Sequence, residues 1–168
     1  MGEDLARRLI ERSEIHGEFV LSSGRTSTAY FDKFRFLTDP VLLDELADAV
    51  VALLPDGLTL LASPEGAATL LLAPVAMRAG LPMAVVRKAR KEYGTRVQVE
   101  GVVEAGARVG LIEDVSTTGG QTLKAAKALE EEGAEIVRIV LTIDRGGADP
   151  LRAEGYEVDA VASLRPKE

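Results

Sequence analysis

The sequence predicts an α/β fold with a doubly wound, mostly parallel sheet. From Leu58 onward, short apolar segments alternate with segments of helical periodicity, and repeated strand–helix–strand order is typical of a parallel sheet. Polar loops follow three of the apolar segments, after Ala62, Val86 and Ile112. Open sheets of this kind bind ligands at the carboxyl ends of their strands. These three loops are therefore the first place to look for a site.

The length and composition fit a single domain spanning residues 1–168. Hydrophobic residues make up 46% of the chain, enough for a complete core. We expect smaller elements over about 1–36 and the parallel-sheet core over about 40–168. The N-terminal elements are a helix over 3–12 and short extended segments over 19–21 and 29–33.

The core elements follow from apolar periodicity and from helix start and stop signals. Asp39 and Pro40 are an N-cap and a first-turn proline, so a helix is expected from there to about Leu54. Later helices are predicted over 67–79, over 123–129 and from Asp149. Pro74, inside the first of these, is expected to kink that helix or delay its start. Strands are predicted over 58–62, 83–86, 97–100, 108–112, 136–143 and 158–164.

The segment from Arg108 to Leu129 has the clearest functional pattern. An apolar strand precedes Glu113 and Asp114, a Ser/Thr/Gly loop (the phosphate loop, residues 115–122) follows, and a helix comes next. Backbone N–H groups in such a loop, with the positive end of a helix, suit a phosphate group. The two acids are placed to accept hydrogen bonds from sugar hydroxyls. The alternative is an ordinary turn with two solvated acids, since neither the dinucleotide fingerprint nor the P-loop motif is present.

A second functional candidate is the basic segment 87–96, which holds five Lys or Arg residues in an acidic chain. Charge runs are usually solvated surfaces. This one follows a buried-type strand and contains Gly94, so a mobile flap over an anionic site (the flap, residues 87–96) is favoured.

Composition excludes several other functions. The chain has no cysteine and a single histidine, His16, so neither disulfides nor a zinc site is expected, and no protein-built metal site is predicted. A net charge of −7 argues against broad nucleic-acid binding. No signal peptide and no apolar segment long enough to cross a membrane are visible, so we expect a soluble, cytoplasmic protein with no membrane partner.

Four separated motifs resemble those of a known family. The strand, the acid pair and Thr117–Thr118–Gly119–Gly120 resemble the phosphoribosyl-diphosphate (PRPP) motif of the type I phosphoribosyltransferases. The flap's Arg87-Lys88-x-x-Lys91-Glu92-Tyr93-Gly94 resembles the catalytic loop of orotate phosphoribosyltransferases. The segment 17–27 with Tyr30–Phe31–Asp32 resembles their substrate hood (the hood, residues 17–36), and Asp144–Arg145–Gly146 resembles their second orotate-binding segment. The resemblance implies the type I phosphoribosyltransferase fold with a small N-terminal hood.

The resemblance also implies residue roles at the PRPP site. Glu113 and Asp114 would bind the ribose hydroxyls, and Asp114 would count among the catalytic residues. The 5′-phosphate would be held by Ser116, Thr117, Thr118, Gly119, Gly120, Gln121 and Thr122. The loop beside the diphosphate would consist of Ser63, Pro64 and Glu65, with Ala67 where the family usually has glycine.

Catalysis and orotate binding are implied in the same way. Lys91 would reach the diphosphate from the partner subunit of a homodimer, and Arg87 and Lys88 would act at the same site. Tyr30 and Phe31 would flank orotate, with Thr117 and Arg145 in contact with it. On sequence alone, the two aromatic residues could equally well pack in the core as contact a ligand. Without the surrounding motif, Arg145 would be interpreted as an ordinary surface arginine.

The implied reaction is Mg²⁺-dependent transfer of ribose 5-phosphate from PRPP to orotate, giving orotidine 5′-phosphate and diphosphate in pyrimidine (UMP) synthesis. Mg²⁺ prefers oxygen ligands and keeps waters, so it would be bound mainly through PRPP. Two alternatives stay open: a phosphoribosyltransferase for a purine or another base, and a PRPP- or nucleotide-sensing regulator without turnover. The hood and Arg145 argue against the first, and Lys91 with the flap argues against the second.

Overall fold

The computed structural model describes residues 2–20, 24, 26–89 and 98–164. Its strands are β1 (Glu14–Val20), β2 (Thr26–Phe31), β3 (Leu60–Pro64), β4 (Met83–Val86), β5 (Val99–Glu100), β6 (Arg108–Ser116), β7 (Glu135–Asp144) and β8 (Val158–Ser163). Its helices are α1 (Gly2–Ser13), α2 (Phe34–Leu37), α3 (Pro40–Val51), α4 (Ala68–Ala79), α5 (Gly120–Glu131) and α6 (Ala148–Ala153). Most of the flap, including Lys91 and Tyr93, lies outside the described residues, as do Ser22 and Arg25 of the hood.

Six strands form one sheet in the order β5-β4-β3-β6-β7-β8. Every neighbouring pair is parallel except β4 with β5. Adjacent residues of β6 enter different cores: Ile112 packs in the cluster with α1, α3 and α4, and Leu111 packs in the cluster with α5 and α6. Helices therefore cover both faces, and the predicted doubly wound sheet is confirmed.

The hood contains a separate antiparallel pair, β1 with β2, whose register shifts between His16 and Phe19. It joins the core through α2, where Phe36 and Leu37 are fully buried. We did not predict α2 from the sequence. Its four residues are too few to show a helical period, and burial of these two side chains stabilises it instead.

Most predicted elements agree with the structure within a few residues. Asp39 caps α3 by accepting hydrogen bonds from the Val41 and Leu42 amides, although α3 ends at Val51 rather than Leu54. α4 runs across Pro74 and ends at Gly80, whose φ of 65° is left-handed. Among the described residues, no helix is long and apolar enough to cross a membrane.

The largest difference in the core concerns β6, which we predicted to end at Ile112. It continues to Ser116 and pairs with β7 throughout, with Glu113 opposite Leu141 and Ser116 opposite Asp144. The apolar pattern stops earlier than the strand does because the last strand residues include two buried acids. Those acids are the centre of the site.

Candidate active site

Glu113 and Asp114 form a buried acid pair at the carboxyl end of β6. Their exposed fractions are 5% and 1%, so the alternative of two solvated acids is wrong. Because neighbouring strand residues point to opposite faces, the two carboxylates have different partners. Glu113 Oε2 accepts a hydrogen bond from the Thr122 hydroxyl of α5 at 3.0 Å, and its Oε1 accepts one from the Asp114 amide at 3.1 Å.

Burial gives Glu113 an unusual pKa. Loss of water around the carboxylate is the main cause, and the nearby negative charge of Asp114 adds to it; together they raise the pKa of Glu113 to about 7. The hydrogen bonds from Thr122 and the Asp114 amide, and the positive charge of Lys33, act in the opposite direction. Glu113 therefore changes its charge close to neutral pH.

Asp114 forms an ion pair with Lys33 of the hood. The Lys33 Nζ lies 2.9 Å from Oδ1 and 2.8 Å from Oδ2 of Asp114, whose side chain is only 2% exposed. The Val115 amide also donates to Oδ1. Sequence reasoning missed Lys33 as a site residue. The available signal was its position directly after the hood motif Tyr30–Phe31–Asp32.

The phosphate loop turns sharply between β6 and α5. Gly119 has a φ of 72°, and a Cβ there would lie 2.8 Å from the Gly147 carbonyl oxygen, so both conformation and space require glycine. The Thr118 hydroxyl accepts a long, 3.4 Å hydrogen bond from the Gly120 amide. Thr117, Thr118 and Gln121 are exposed, whereas Ser116 and Thr122 are buried. The exposed part of the loop and the start of α5 can thus receive an anion.

Arg145 follows β7 and meets the hood. Its guanidinium lies 5.0 Å from the centre of the Phe31 ring, a cation–π contact. Its amide donates to the Ser116 carbonyl at 2.8 Å, which fixes the turn beside the phosphate loop. Asp144 holds the same turn, since its Oδ1 accepts hydrogen bonds from the Gly146 and Ala148 amides. Sequence reasoning gave Asp144 no role.

The two hood aromatic residues differ. Phe31 is half-buried and packs against the core as well as Arg145. Tyr30 is 46% exposed and lies against the Phe19 ring, with 5.6 Å between ring centres. The structure thus brings Phe31 and Arg145 together, and it leaves Tyr30 on the open surface of the hood.

The loops after β3 and β4 meet the first turn of α5 at a small cleft of about 170 Å³. Its lining residues are Pro64, Val86, Arg87, Lys88, Gln121, Lys124 and Ala125. Glu65 joins the two loops: its amide donates to the Val86 carbonyl at 2.7 Å, and its carboxylate accepts from the Lys88 amide at 2.9 Å. Ser63 is fully buried.

Three of the predicted groups therefore meet at one edge of the sheet: the acid pair, the phosphate loop and the basic residues Arg87 and Lys88. Such an edge offers carboxylate acceptors for hydroxyl groups, amide donors for a phosphate, and cations for further negative charge. Lys91, the remaining predicted catalytic residue, falls outside the described part of the chain.

Comparisons with known proteins point to one family. Residues 42–161 match the family model described as "Phosphoribosyl transferase domain". The orotate phosphoribosyltransferase of Methanopyrus kandleri is 44% identical over 162 residues, which are 95% of this chain and 87% of the relative.

Solved structures give the same result. A crystal structure of Mycobacterium tuberculosis H37Rv orotate phosphoribosyltransferase matches with a TM-score of 0.85 and 30% identity, covering 97% of this chain and 96% of the other. A second crystal structure of that protein, in complex with PRPP, matches with a TM-score of 0.80 and 27% identity over 97% and 96% of the two chains. Sequence and fold agree over almost the whole length, and the chain belongs to the orotate phosphoribosyltransferase family.

Proposed function

We propose that this protein transfers ribose 5-phosphate from PRPP to N1 of orotate, releasing diphosphate and forming orotidine 5′-phosphate. One observation carries the proposal: two hood residues, Phe31 and Lys33, contact two core segments, at Arg145 and Asp114 respectively. These contacts would put a site for a flat, anionic base beside a site for a sugar phosphate. The matching relatives named for orotate add independent support.

PRPP would be held mainly by the core. Glu113 and Asp114 would accept hydrogen bonds from the two ribose hydroxyls. Thr117, Thr118 and Gln121, with the N–H groups at the start of α5, would hold the 5′-phosphate. Thr122 would act indirectly, because its hydroxyl already donates to Glu113. The diphosphate would lie toward the cleft formed by Pro64, Arg87 and Lys88, next to Glu65 and Ser63.

Orotate would lie between the hood and the turn after β7. The Arg145 guanidinium can meet a carboxylate or ring carbonyl with two parallel donors. Its Nε is buried and lacks a hydrogen-bond partner among the described residues, so at least this donor is unused. Phe31, Tyr30 and Thr117 would flank the base.

The reaction needs no protein nucleophile. The anomeric carbon gains oxocarbenium character as its bond to diphosphate breaks, N1 of orotate forms the new bond, and the N1 proton is released to solvent or to the departing diphosphate. The protein's part is to align two anionic substrates and to neutralise the leaving diphosphate. Lys91, Arg87 and Lys88 are the cations proposed for that second task.

Mg²⁺ would be bound mainly through PRPP. It favours oxygen ligands, often substrate phosphates with only one or two carboxylates. The two nearby carboxylates fit a supporting role, since Lys33 already pairs with Asp114 and Thr122 with Glu113. Mg²⁺ would supply charge neutralisation to the diphosphate.

We further propose a cytoplasmic homodimer in which Lys91 acts at the partner subunit's site. A mixing experiment tests this arrangement: Lys91→Ala chains are combined with Asp114→Asn chains, each of which alone is expected to have low activity. Mixed dimers would contain one site with both residues intact, and activity would rise well above that of either variant alone. Verified subunit exchange without recovered activity would contradict sharing of the site.

Orotate consumption on addition of PRPP and Mg²⁺ tests the proposed reaction directly. We expect turnover only when both are present, with adenine, guanine and hypoxanthine inactive. Turnover of a purine but not orotate would contradict the substrate assignment and leave the fold unaffected. Binding of PRPP without turnover of any base would favour a regulator.

A further inference from the structure

The Lys33 side chain extends from a fixed backbone. The amide of Asp32 donates to the Ser13 carbonyl at 2.9 Å, and the Asp32 carboxylate accepts from the Phe34 amide at 3.0 Å. Directly afterward, α2 buries Phe36 and Leu37 completely in the core. The position of Lys33 is therefore set by packing and hydrogen bonds on both sides, unlike that of a surface lysine at the end of a mobile loop.

The carboxylate that Lys33 contacts lies beside a second buried acid. Asp114 is almost fully buried and stands next to Glu113, itself buried. Neighbouring buried carboxylates repel each other, and a cation close to the pair offsets that repulsion. Among the described residues, the charged groups acting on Glu113 are Asp114 on the same strand and Lys33 from the hood, while α5 contributes the neutral Thr122 hydroxyl.

We propose that Lys33 is a positioning residue of the PRPP site, which holds the Asp114 carboxylate in a fixed orientation before PRPP arrives. This inference rests on the proposed role of Asp114 in binding ribose hydroxyls. A carboxylate that is already oriented can accept those hydrogen bonds without first being reordered. Because Lys33 belongs to the hood, affinity for PRPP then depends on the hood being docked on the core, although the PRPP contacts themselves lie in the core.

The test compares Lys33→Met and Lys33→Arg with a matched control, Arg35→Met. Arg35 is an exposed cation of α2, two residues away, so the control removes the same charge from the same segment. For Lys33→Met we expect the KM for PRPP to rise about tenfold at neutral pH, the size of a lost charge-assisted hydrogen bond. The kcat at saturating PRPP is expected to stay within about twofold, as for a loss of ground-state binding.

The pH profile separates positioning from mere structural support. In Lys33→Met the acidic limb of kcat/KM for PRPP is expected to move upward by about one pH unit, because the positive charge that lowers the pKa of Glu113 is gone. Lys33→Arg keeps the positive charge, so its KM for PRPP and its acidic limb are expected to stay close to the wild-type values. Arg35→Met is expected to change neither. An unmoved acidic limb, or a KM for PRPP equal to that of Arg35→Met, would overturn the proposal. A lower KM would overturn it too, since Lys33 would then compete with the ribose.

A substrate-free measurement keeps this inference separate from the proposed function. Carboxyl-carbon NMR titration of Glu113 is expected to show a higher pKa in Lys33→Met than in wild type, because the positive charge of Lys33 lowers the pKa of Glu113, whatever base the enzyme uses. Circular dichroism checks that the variant is folded, and Lys33→Gln replaces it if Lys33→Met is not. An unchanged titration in a folded variant overturns the inference, whereas absence of orotate turnover in wild type contradicts only the proposed reaction.

Discussion

The core edge of the site and the hood are built in different ways. At the core edge, Glu113 and Asp114 belong to β6, which has parallel neighbours on both sides and helices on both faces. The hood sheet has only two strands, and most residues of β1 are exposed. A two-stranded sheet is marginally stable alone. Contacts such as Phe31–Arg145 and Lys33–Asp114 therefore help to hold the hood in place.

This difference suggests a division of work between the two regions. The core edge has its hydrogen bonds in place, so the parts that would bind PRPP are preorganised and need little rearrangement. The hood would complete the orotate site through a few contacts. Substitutions in the core edge, and of Lys33 where it pairs with Asp114, are thus expected to change PRPP parameters, and substitutions at the Phe31–Arg145 contact are expected to change orotate parameters.

The largest effect is expected from Lys91, which belongs to neither region. Negative charge develops on the leaving diphosphate as the glycosidic bond breaks, so a cation placed there stabilises the transition state more than bound PRPP. Lys91→Ala is expected to lower kcat by roughly 10²- to 10³-fold, a loss typical of one electrostatic donor. Steady-state kinetics would show a much smaller change in the KM for PRPP.

Lys91→Arg is the matched control, because it keeps a cation in the flap. It is expected to recover part of the lost kcat. A Lys91→Ala enzyme with normal kcat would show that Lys91 takes no part in the mechanism. A rise in the KM for PRPP as large as the fall in kcat would mean that Lys91 binds PRPP itself as well as the transition state.

The effect of burial on Glu113 can be tested through the pH dependence of the free energy of unfolding. Its folded pKa of about 7 lies above the ordinary glutamate value of 4.5, so between these values the folded state binds more protons than the unfolded state. This stabilising contribution is complete below pH 4.5 and is lost as the pH rises through 7, by as much as about 3 kcal/mol. Denaturant unfolding of wild type and Glu113→Gln is expected to show that the free energy of unfolding of wild type falls relative to that of Glu113→Gln as the pH rises from 4.5 to 7. Parallel curves for the two proteins would mean that Glu113 is ionised throughout.

Asp114→Asn tests the proposed ribose contact at the core edge. The amide keeps the shape of the carboxylate but loses its charge, and hydrogen bonds to a charged group contribute roughly 1.5–3 kcal/mol. We expect kcat/KM for PRPP to fall roughly 10- to 150-fold, with a small change in the KM for orotate. Steady-state kinetics with each substrate varied in turn measures both values. Unchanged PRPP parameters would assign Asp114 a purely structural role.

The core could be predicted from sequence more fully than the hood. Periodicity located the strands of the core because their buried residues are mostly apolar, and the three loops at their carboxyl ends followed from that topology. β6 was predicted too short because Glu113 and Asp114 are buried without being apolar. Lys33 and Asp114 are 81 positions apart along the chain, so no local sequence pattern could predict their contact.

The smallest effect is expected from Arg145→Ala, which tests the contact between the core edge and the hood. Arg145 lies over the Phe31 ring and is fixed by backbone hydrogen bonds to the end of β6, so it can orient orotate without touching the acid pair. Arg145→Ala is expected to raise the KM for orotate about tenfold, since it removes charge-assisted donors to an anionic base. The KM for PRPP is expected to change much less. Arg145→Lys keeps the charge but loses the planar pair of donors, so it is expected to recover only part of the affinity. Steady-state kinetics with each substrate varied in turn distinguishes the cases: equal losses for both substrates would show that the Arg145 side chain supports the site through its contact with Phe31 rather than binding the base.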